Sequence, residues 1–264
     1  MADDPPLLMA ATILLVREVP ELEVLMVERH HQIDFASGAL VFPGGKSAET
    51  DHPRFWDGHV HGAEATSATL DGLKVAAIRE AFEESGLLIA RHAAHKPQNA
   101  LVLPGGFPET SARRAAIAAG THDFRLAVAA DGLALALDQL TLFAHWVTPK
   151  GMPKRFDTYF FIAAAPPGQW ARHDGHEAVD AVWLTPKAAL AAANAGARKI
   201  IFPTRLNLEL LDRSSSVDAA ISAARERTLV RVEPEISRQD GVLMLSIPEE
   251  AGYGAIRVPL TEAT

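Results

Sequence analysis

Glu80, Glu83 and Glu84 lie in the stretch Arg79-Glu80-Ala81-Phe82-Glu83-Glu84-Ser85-Gly86-Leu87, which reads as the end of a helix carrying three carboxylates on little more than one turn. At 100° per residue, with Glu80 at zero, Glu83 falls at about 300° and Glu84 at about 40°. The acids therefore share one face, and Val75, Ile78, Ala81 and Phe82 take the other. Like charges at i, i+3 and i+4 weaken an isolated helix by roughly 0.2–0.5 kcal/mol per pair. Such a helix needs apolar packing beneath it and positive charge upon it. Arg79 supplies part of that charge by pairing with Glu83 at i+4. The remaining oxygens suit Mg²⁺ or Mn²⁺, which prefer oxygen ligands and keep waters and substrate phosphates in their shell. Taken alone, Glu-x-x-Glu-Glu describes a solvated acidic face more often than a metal site.

Two neighbouring features reverse that balance. Val41-Phe42-Pro43-Gly44-Gly45-Lys46 is an apolar strand ending in a turn whose paired glycines allow φ > 0 and close backbone approach to a ligand. Gly86 stands where an αL cap would end the acidic helix. Together these resemble the signature of the Nudix hydrolases, Gly-x5-Glu-x7-Arg-Glu-U-x-Glu-Glu-x-Gly-U, with U aliphatic. Arg79, Glu80, Glu83, Glu84, Gly86 and Leu87 match its second half, and Ala81 is a small version of the aliphatic position. Arg79 follows Gly45 by 34 positions where the signature allows 14, so 20 residues are inserted, and the signature's middle Glu falls near Glu49 or Asp51. An interrupted box of this kind is similar to the coenzyme A diphosphatase subgroup, peroxisomal in mammals and with bacterial relatives. Arg29, Phe35 and Gly38 resemble that subgroup's lead-in. Trp146-Val147-Thr148-Pro149, the Arg155–Phe161 and His173–Glu177 stretches, Trp183-Leu184-Thr185-Pro186 and Pro203-Thr204 follow in its order, so the resemblance runs from about Leu8 to about Leu211.

The resemblance implies an α/β fold, a Nudix-type α/β/α sandwich around a mixed sheet with helical insertions and a C-terminal helical extension. One such domain is expected over 1–264, with an insertion at 47–70, a helical cap at 93–140 and the extension at 186–264. Local patterns fill in the elements. Leu8–Val16 and Leu22–Glu28 read as a hairpin, and Leu142–Val147, Thr158–Ala163 and Val179–Leu184 as further strands. Helices are predicted at Leu73–Ser85, Pro108–Ala119, Phe124–Ala130, Pro186–Ala193 with Thr185 as N-cap, Thr204–Arg213 and Val217–Arg227. The insertion from Ser47 to Ala68 reads as an outward surface loop with a short helix. Thr228–Val232, Val242–Ser246 and Ala255–Val258 are short strand-like pieces.

A net charge of −8 without any Lys/Arg run argues against nucleic acid or an anionic membrane as partner. A small phosphorylated molecule is still accommodated, because a bound cation reverses the local field. The absence of cysteine fits a reducing compartment, and the apolar run Leu7–Val16 is too short to span a bilayer. The opening Met-Ala-Asp-Asp has no basic leader and the closing Glu-Ala-Thr no peroxisomal address, so a cytoplasmic location is expected. Association as a homodimer stays open.

Glu80, Glu83 and Glu84 are the expected metal ligands and, with Arg79 and Glu177, the expected catalytic set. Glu177 precedes an apolar strand and is either a further ligand or general base, or an ordinary loop acid. Gly44, Gly45, Lys46, Phe35 and Arg155 form the expected substrate-binding set. Arg155 either holds a phosphate bidentately or forms a surface ion pair, and Lys46 is equally open. His52, His59 and His61 read as solvated insertion residues rather than a zinc site, while Trp146 and Trp183 read as core. These parts suit hydrolysis of a nucleoside diphosphate linkage, with Glu80 or Glu177 taking the water's proton. Resemblance adds the substrate, coenzyme A or an acyl-coenzyme A, cut to 3′,5′-ADP and a 4′-phosphopantetheine product. ADP-ribose or a dinucleotide is the alternative within enzymes, and a non-catalytic nucleotide-binding module the alternative outside them.

Overall fold

The computed structural model describes residues 4–31, 36–64, 67–94, 101 and 111–262. Strands β1 (Leu7–Glu18) and β2 (Leu22–Arg29) form the expected hairpin, followed by β3 (Leu40–Val41) and β4 (Gly44–Lys46). Next come β5 (Val60–His61), helix α1 (Ala68–Ser85), β6 (Ala90–His92), α2 (Ser111–Ala118), α3 (Phe124–Ala130) and β7 (Leu133–Ala136). The second half runs β8 (Thr141–Val147), β9 (Arg155–Ala164), β10 (Ala178–Leu184), α4 (Pro186–Asn194), α5 (Phe202–Leu211), α6 (Val217–Glu226) and β11 (Arg231–Val232). It closes with β12 (Glu235–Gln239), β13 (Val242–Ser246) and β14 (Arg257–Pro259).

The main sheet is mixed, in the order β10-β2-β1-β9-β8-β11, with β3 beside β2 and β4 beside β1. β1 runs parallel to β9 and antiparallel to β2 and β4. From Ile13 to Val16 β1 is apolar and buried at every position because both faces are covered there. Ile13 and Leu15 join a core beneath α1, whereas Leu14 and Val16 join a second core beneath α5 and α6. α1 contributes Val75, Ala76, Ala77, Ile78, Ala81 and Phe82 to the first core, all buried. It ends at Gly86, whose φ of 76° is left-handed and whose N–H donates to the Phe82 carbonyl at 2.8 Å. Thr185 caps α4, its hydroxyl accepting from the Ala188 N–H at 3.1 Å.

Three expectations need correction. The described part of 93–140 is not wholly helical: Leu133–Ala136 is a strand, paired with β5 and β6 in a separate three-stranded sheet. Together with α2 and α3 it packs behind α1, with Ile117, Phe124 and Val128 in the first core. The C-terminal extension is helical only through α6, after which β12, β13 and β14 form an antiparallel sheet of their own. Here the strand-like patterns were the better guide. The insertion after Gly45 is not merely an outward loop, since it forms two 3₁₀ turns and buries Asp51 and Trp56, the latter beside Phe124. An apolar ring within an otherwise polar segment has nowhere favourable to go except onto the nearest core. Among the described residues no helix is long and apolar enough to cross a membrane.

Candidate active site

β4 and α1 meet because neither glycine of β4 has a side chain. A Cβ on Gly45 would lie 2.6 Å from the Glu80 carboxylate, and one on Gly44 2.5 Å from the Ala11 carbonyl. Neither glycine adopts positive φ, so the pair is required for close approach and not for a left-handed turn. The Gly44 N–H donates to Glu84 Oε2 at 3.0 Å, joining strand to helix directly.

Arg79 ties the rest together. Its Nε and Nη2 hold the two oxygens of buried Asp51 at 2.9 and 3.0 Å, a bidentate pair that places an insertion residue where the signature expects its middle Glu. Nη2 also donates to the Lys46 carbonyl at 3.0 Å, and Nη1 to Glu80 at 2.8 Å and Glu83 at 3.3 Å. Burial opposes this charge, yet the hydrogen bonds that Arg79 donates to Asp51 and the surrounding carboxylate charges outweigh it and raise the Arg79 pKa further. From the other side Arg114 of α2 donates to the Glu83 and Glu84 carbonyls at 3.0 and 3.3 Å, satisfying the last turn of α1.

Beside this junction opens a cavity of about 670 Å³. Glu80, Glu83, Gly44, Gly45, Lys46 and Glu177 all line it. Glu84 is buried alongside, 3.9 Å from Arg29 Nη1, and Arg29 itself reaches the cavity wall. Arg29 Nε is buried and has no hydrogen-bond partner among the described residues, a donor beside a place where an anion could sit. Glu177 is exposed on a loop that Asp174 shapes by accepting from the N–H groups of His176, Glu177 and Ala178. Its charge acts on both Glu80 and Glu84.

The acids are far from solvated. Burial raises the pKa of Glu80 and holds that of Glu84 well above the carboxylate range, the latter helped by repulsion from Glu80. Burial pushes Glu83 up to about 7, with Arg79 opposing and Glu80 adding to the rise. Carboxylates crowded into a cavity wall at this cost fit a divalent cation, whose charge would reverse each shift. Among the described residues no three or more His, Asp or Glu side chains are grouped closely enough, as they stand, to hold a metal ion. Mg²⁺ usually takes one or two carboxylates and completes its shell with waters and substrate phosphates.

The other expected residues separate. Arg155 is buried elsewhere, Nη2 holding Glu233 at 2.6 Å and Nε the Thr148 carbonyl at 3.1 Å. Of its two expected alternatives the structure shows the ion pair, though buried and not on the surface. Phe35 lies outside the described residues. Trp146 is core and lines the cavity as well, whereas Trp183 is half-buried with Arg17 4.2 Å above its ring. Arg29, Asp51, Asp174 and Arg114 act at the site without standing among the expected site residues. Asp51 was legible from the signature's spacing and Asp174 from its Asp-Gly turn, while nothing local marks Arg114.

The model of the NUDT19 Nudix domain matches residues 70–206, just over half of the chain. A Caenorhabditis elegans protein provisionally named nudix hydrolase 7 is 26% identical over 195 residues, covering 71% of this chain and 54% of that protein. The chain thus spans about half the length of this curated relative. A crystal structure of a NUDIX hydrolase from Alicyclobacillus acidocaldarius superposes with a TM-score of 0.70 at 27% identity, over 82% of this chain and 96% of that one.

Proposed function

The chain belongs to the Nudix hydrolase family, and we propose that it hydrolyses the diphosphate linkage of a nucleoside diphosphate derivative with Mg²⁺ or Mn²⁺ held by Glu80, Glu83 and Glu84. The observation that carries this reading is the buried acidic face of α1 turned toward a cavity, with two of its acids in the wall. A divalent cation there supplies Lewis-acid stabilisation of the diphosphate oxygens and a more acidic bound water. The residues of the chain do the rest. Glu80 or Glu177 takes the water's proton, since both line the cavity and face each other electrostatically. Arg29 and Lys46 offer positive charge to the phosphates from the same wall. Gly44 and Gly45 let the substrate approach the backbone, and Arg79 with Asp51 keeps helix and strand in register.

For the substrate we propose coenzyme A or an acyl-coenzyme A, yielding 3′,5′-ADP and an (acyl-)4′-phosphopantetheine. Support comes from the interrupted box and its lead-in, and from a cavity that extends well past the acids along an apolar floor. The test is product release from coenzyme A, acyl-coenzyme A, ADP-ribose and dinucleotides with Mg²⁺, Mn²⁺ or EDTA. The expected result is metal-dependent cleavage with kcat/KM for coenzyme A or a short acyl ester at least tenfold above that for ADP-ribose, about 1.4 kcal/mol in transition-state binding. Equal or reversed preference moves the substrate to ADP-ribose, and no cleavage of any diphosphate favours a binding module.

A further inference from the structure

Pro203-Thr204 takes no part in the chemistry proposed above, yet it stands in the first turn of the ten-residue helix α5, in the wall of the cavity. The start of a helix leaves N–H groups that a capping side chain normally satisfies. Here the N-cap is Ile201, which has no polar side chain to offer, and among the described residues the N–H groups of Phe202 and Thr204 meet no acceptor. Phe202 and Thr204 are both buried, the latter only 3% exposed. A helical threonine commonly bonds the carbonyl one turn back. Thr204 makes no such bond among the described residues, and its side chain lines the cavity instead. Lys199 lines the same wall, its carbonyl accepting from the Leu40 N–H at 2.8 Å. The acids on the adjoining strands, Glu28 and Asp180, are engaged by Arg198, so Lys199 is left without an ion pair among the described residues. α5 itself is held by a buried chain of hydrogen bonds, in which the Trp146 indole donates to the Tyr253 hydroxyl at 3.1 Å and that hydroxyl donates to Asn207 Oδ1 at 2.6 Å. Pro234, Leu245 and Leu260 complete this far end of the cavity.

Backbone N–H groups at the positive end of a helix dipole, a hydroxyl and an ammonium thus share one wall, and all of them favour an anion. The acids of the cavity, Glu80, Glu83 and Glu177, stand at its other end. A phosphate could therefore be held beside α5 by direct donors, without a metal. It would not be the scissile diphosphate, which the cation on α1 draws to itself, because α1 and α5 pack on opposite faces of the sheet. A nucleoside diphosphate derivative offers a second anionic group of this kind where it also carries a phosphomonoester. We propose that the open N-terminus of α5, with Thr204 and Lys199, is a second anion subsite, which takes a phosphomonoester carried by the substrate away from the bond that is cut. This rests on the diphosphatase reading of the acidic end.

The experiment measures kcat/KM for coenzyme A and 3′-dephospho-coenzyme A, which differ by one phosphomonoester, in the wild type, Thr204→Val, Thr204→Ser and Lys199→Gln, with thermal unfolding confirming that each variant folds. The wild type is expected to favour coenzyme A at least tenfold. Thr204→Val and Lys199→Gln should each lower that ratio at least threefold, and Thr204→Ser, which keeps the hydroxyl, should hold it within about twofold. Lys199 is exposed, so its variant keeps the test informative if valine at 204 prevents folding. A wild-type ratio near one, or ratios unchanged in folded Thr204→Val and Lys199→Gln, overturns the proposal. An equal loss for both substrates also overturns it, by giving these donors to the scissile diphosphate. If the wild type cleaves neither compound, the diphosphatase reading fails separately, and calorimetry in EDTA decides the subsite. Binding of 3′,5′-ADP at least tenfold tighter than 5′-AMP, with the difference reduced in Thr204→Val and Lys199→Gln, supports it, whereas equal or absent binding overturns it.

Discussion

The two ends of the cavity are built by opposite means. At the acidic end, polar groups come within hydrogen-bonding distance through a helix of period 3.6 and a glycine pair, and Arg79, Arg29 and the Gly44 N–H offset only part of the burial and mutual repulsion that raise the acids. At the far end apolar residues from α5 and the C-terminal segment meet β8 from distant parts of the chain, held by Trp146, Tyr253 and Asn207, with Trp146 and Tyr253 107 positions apart. The first end carries strain that a ligand relieves, and the second a fixed wall with open donors. Substitutions should therefore separate them, with the acidic end governing rate and the far end governing preference.

The largest effect is expected from Glu83→Gln and Glu84→Gln, each lowering turnover at least 10²-fold through loss of charge at the developing phosphate. Neither should cost much stability, because burial already disfavours both charges. Steady-state kinetics beside thermal unfolding checks both statements. Near-normal rates in both variants would remove the site assignment. Gly45→Ala should follow, with a 10- to 10²-fold loss, because its methyl group must displace the Glu80 carboxylate and small misplacements of a reacting group are costly. Asp51→Ala removes the bidentate partner of Arg79, and roughly a tenfold loss of kcat is expected with KM little changed. Breaking a buried pair typically costs about 3–5 kcal/mol, and the lower end applies here because Glu80 and Glu83 still face Arg79. The smallest kinetic effect belongs to Arg155→Ala: lower stability from the loss of Glu233, with KM for any diphosphate within about twofold of wild type. A large KM increase would return Arg155 to the substrate.

The contrast between the ends also explains what the sequence could disclose. α1, its Gly86 cap and the hairpin were readable because each depends on residues a few positions apart: a 3.6-residue period, an αL glycine, a β-branched run. The shared helix face of Glu80, Glu83 and Glu84 was readable for the same reason. Arg114 was not, since its role depends on where α2 docks, and Arg155 stayed open because an arginine before an aromatic strand looks the same whether it meets phosphate or Glu233. Of the far end only the Pro203-Thr204 pair showed in the sequence, without a role, because Leu245 and Leu260 lie on pieces too short to show which face they present.

Metal and pH should act together at the acidic end. Burial raises Glu83 from the usual carboxylate value to about 7 in the folded chain, so its neutral form is favoured by folding. The resulting stability is complete below the unfolded pKa and is lost as pH rises through about 7. Without metal, the thermal midpoint should therefore fall between pH 5 and pH 8, and Mg²⁺ should raise it more at pH 8 than at pH 5. Equal metal shifts at both pH values would place the cation away from Glu83.

The most direct test of the central claim is Mn²⁺ binding by calorimetry at pH 8 to the wild type, Glu83→Gln and Glu84→Gln, each shown to be folded. Saturable binding to the wild type, weakened at least tenfold in each variant, is the expected result. Equal Mn²⁺ affinity in all three proteins would contradict the account, because the acidic face of α1 would then not be where the cation sits.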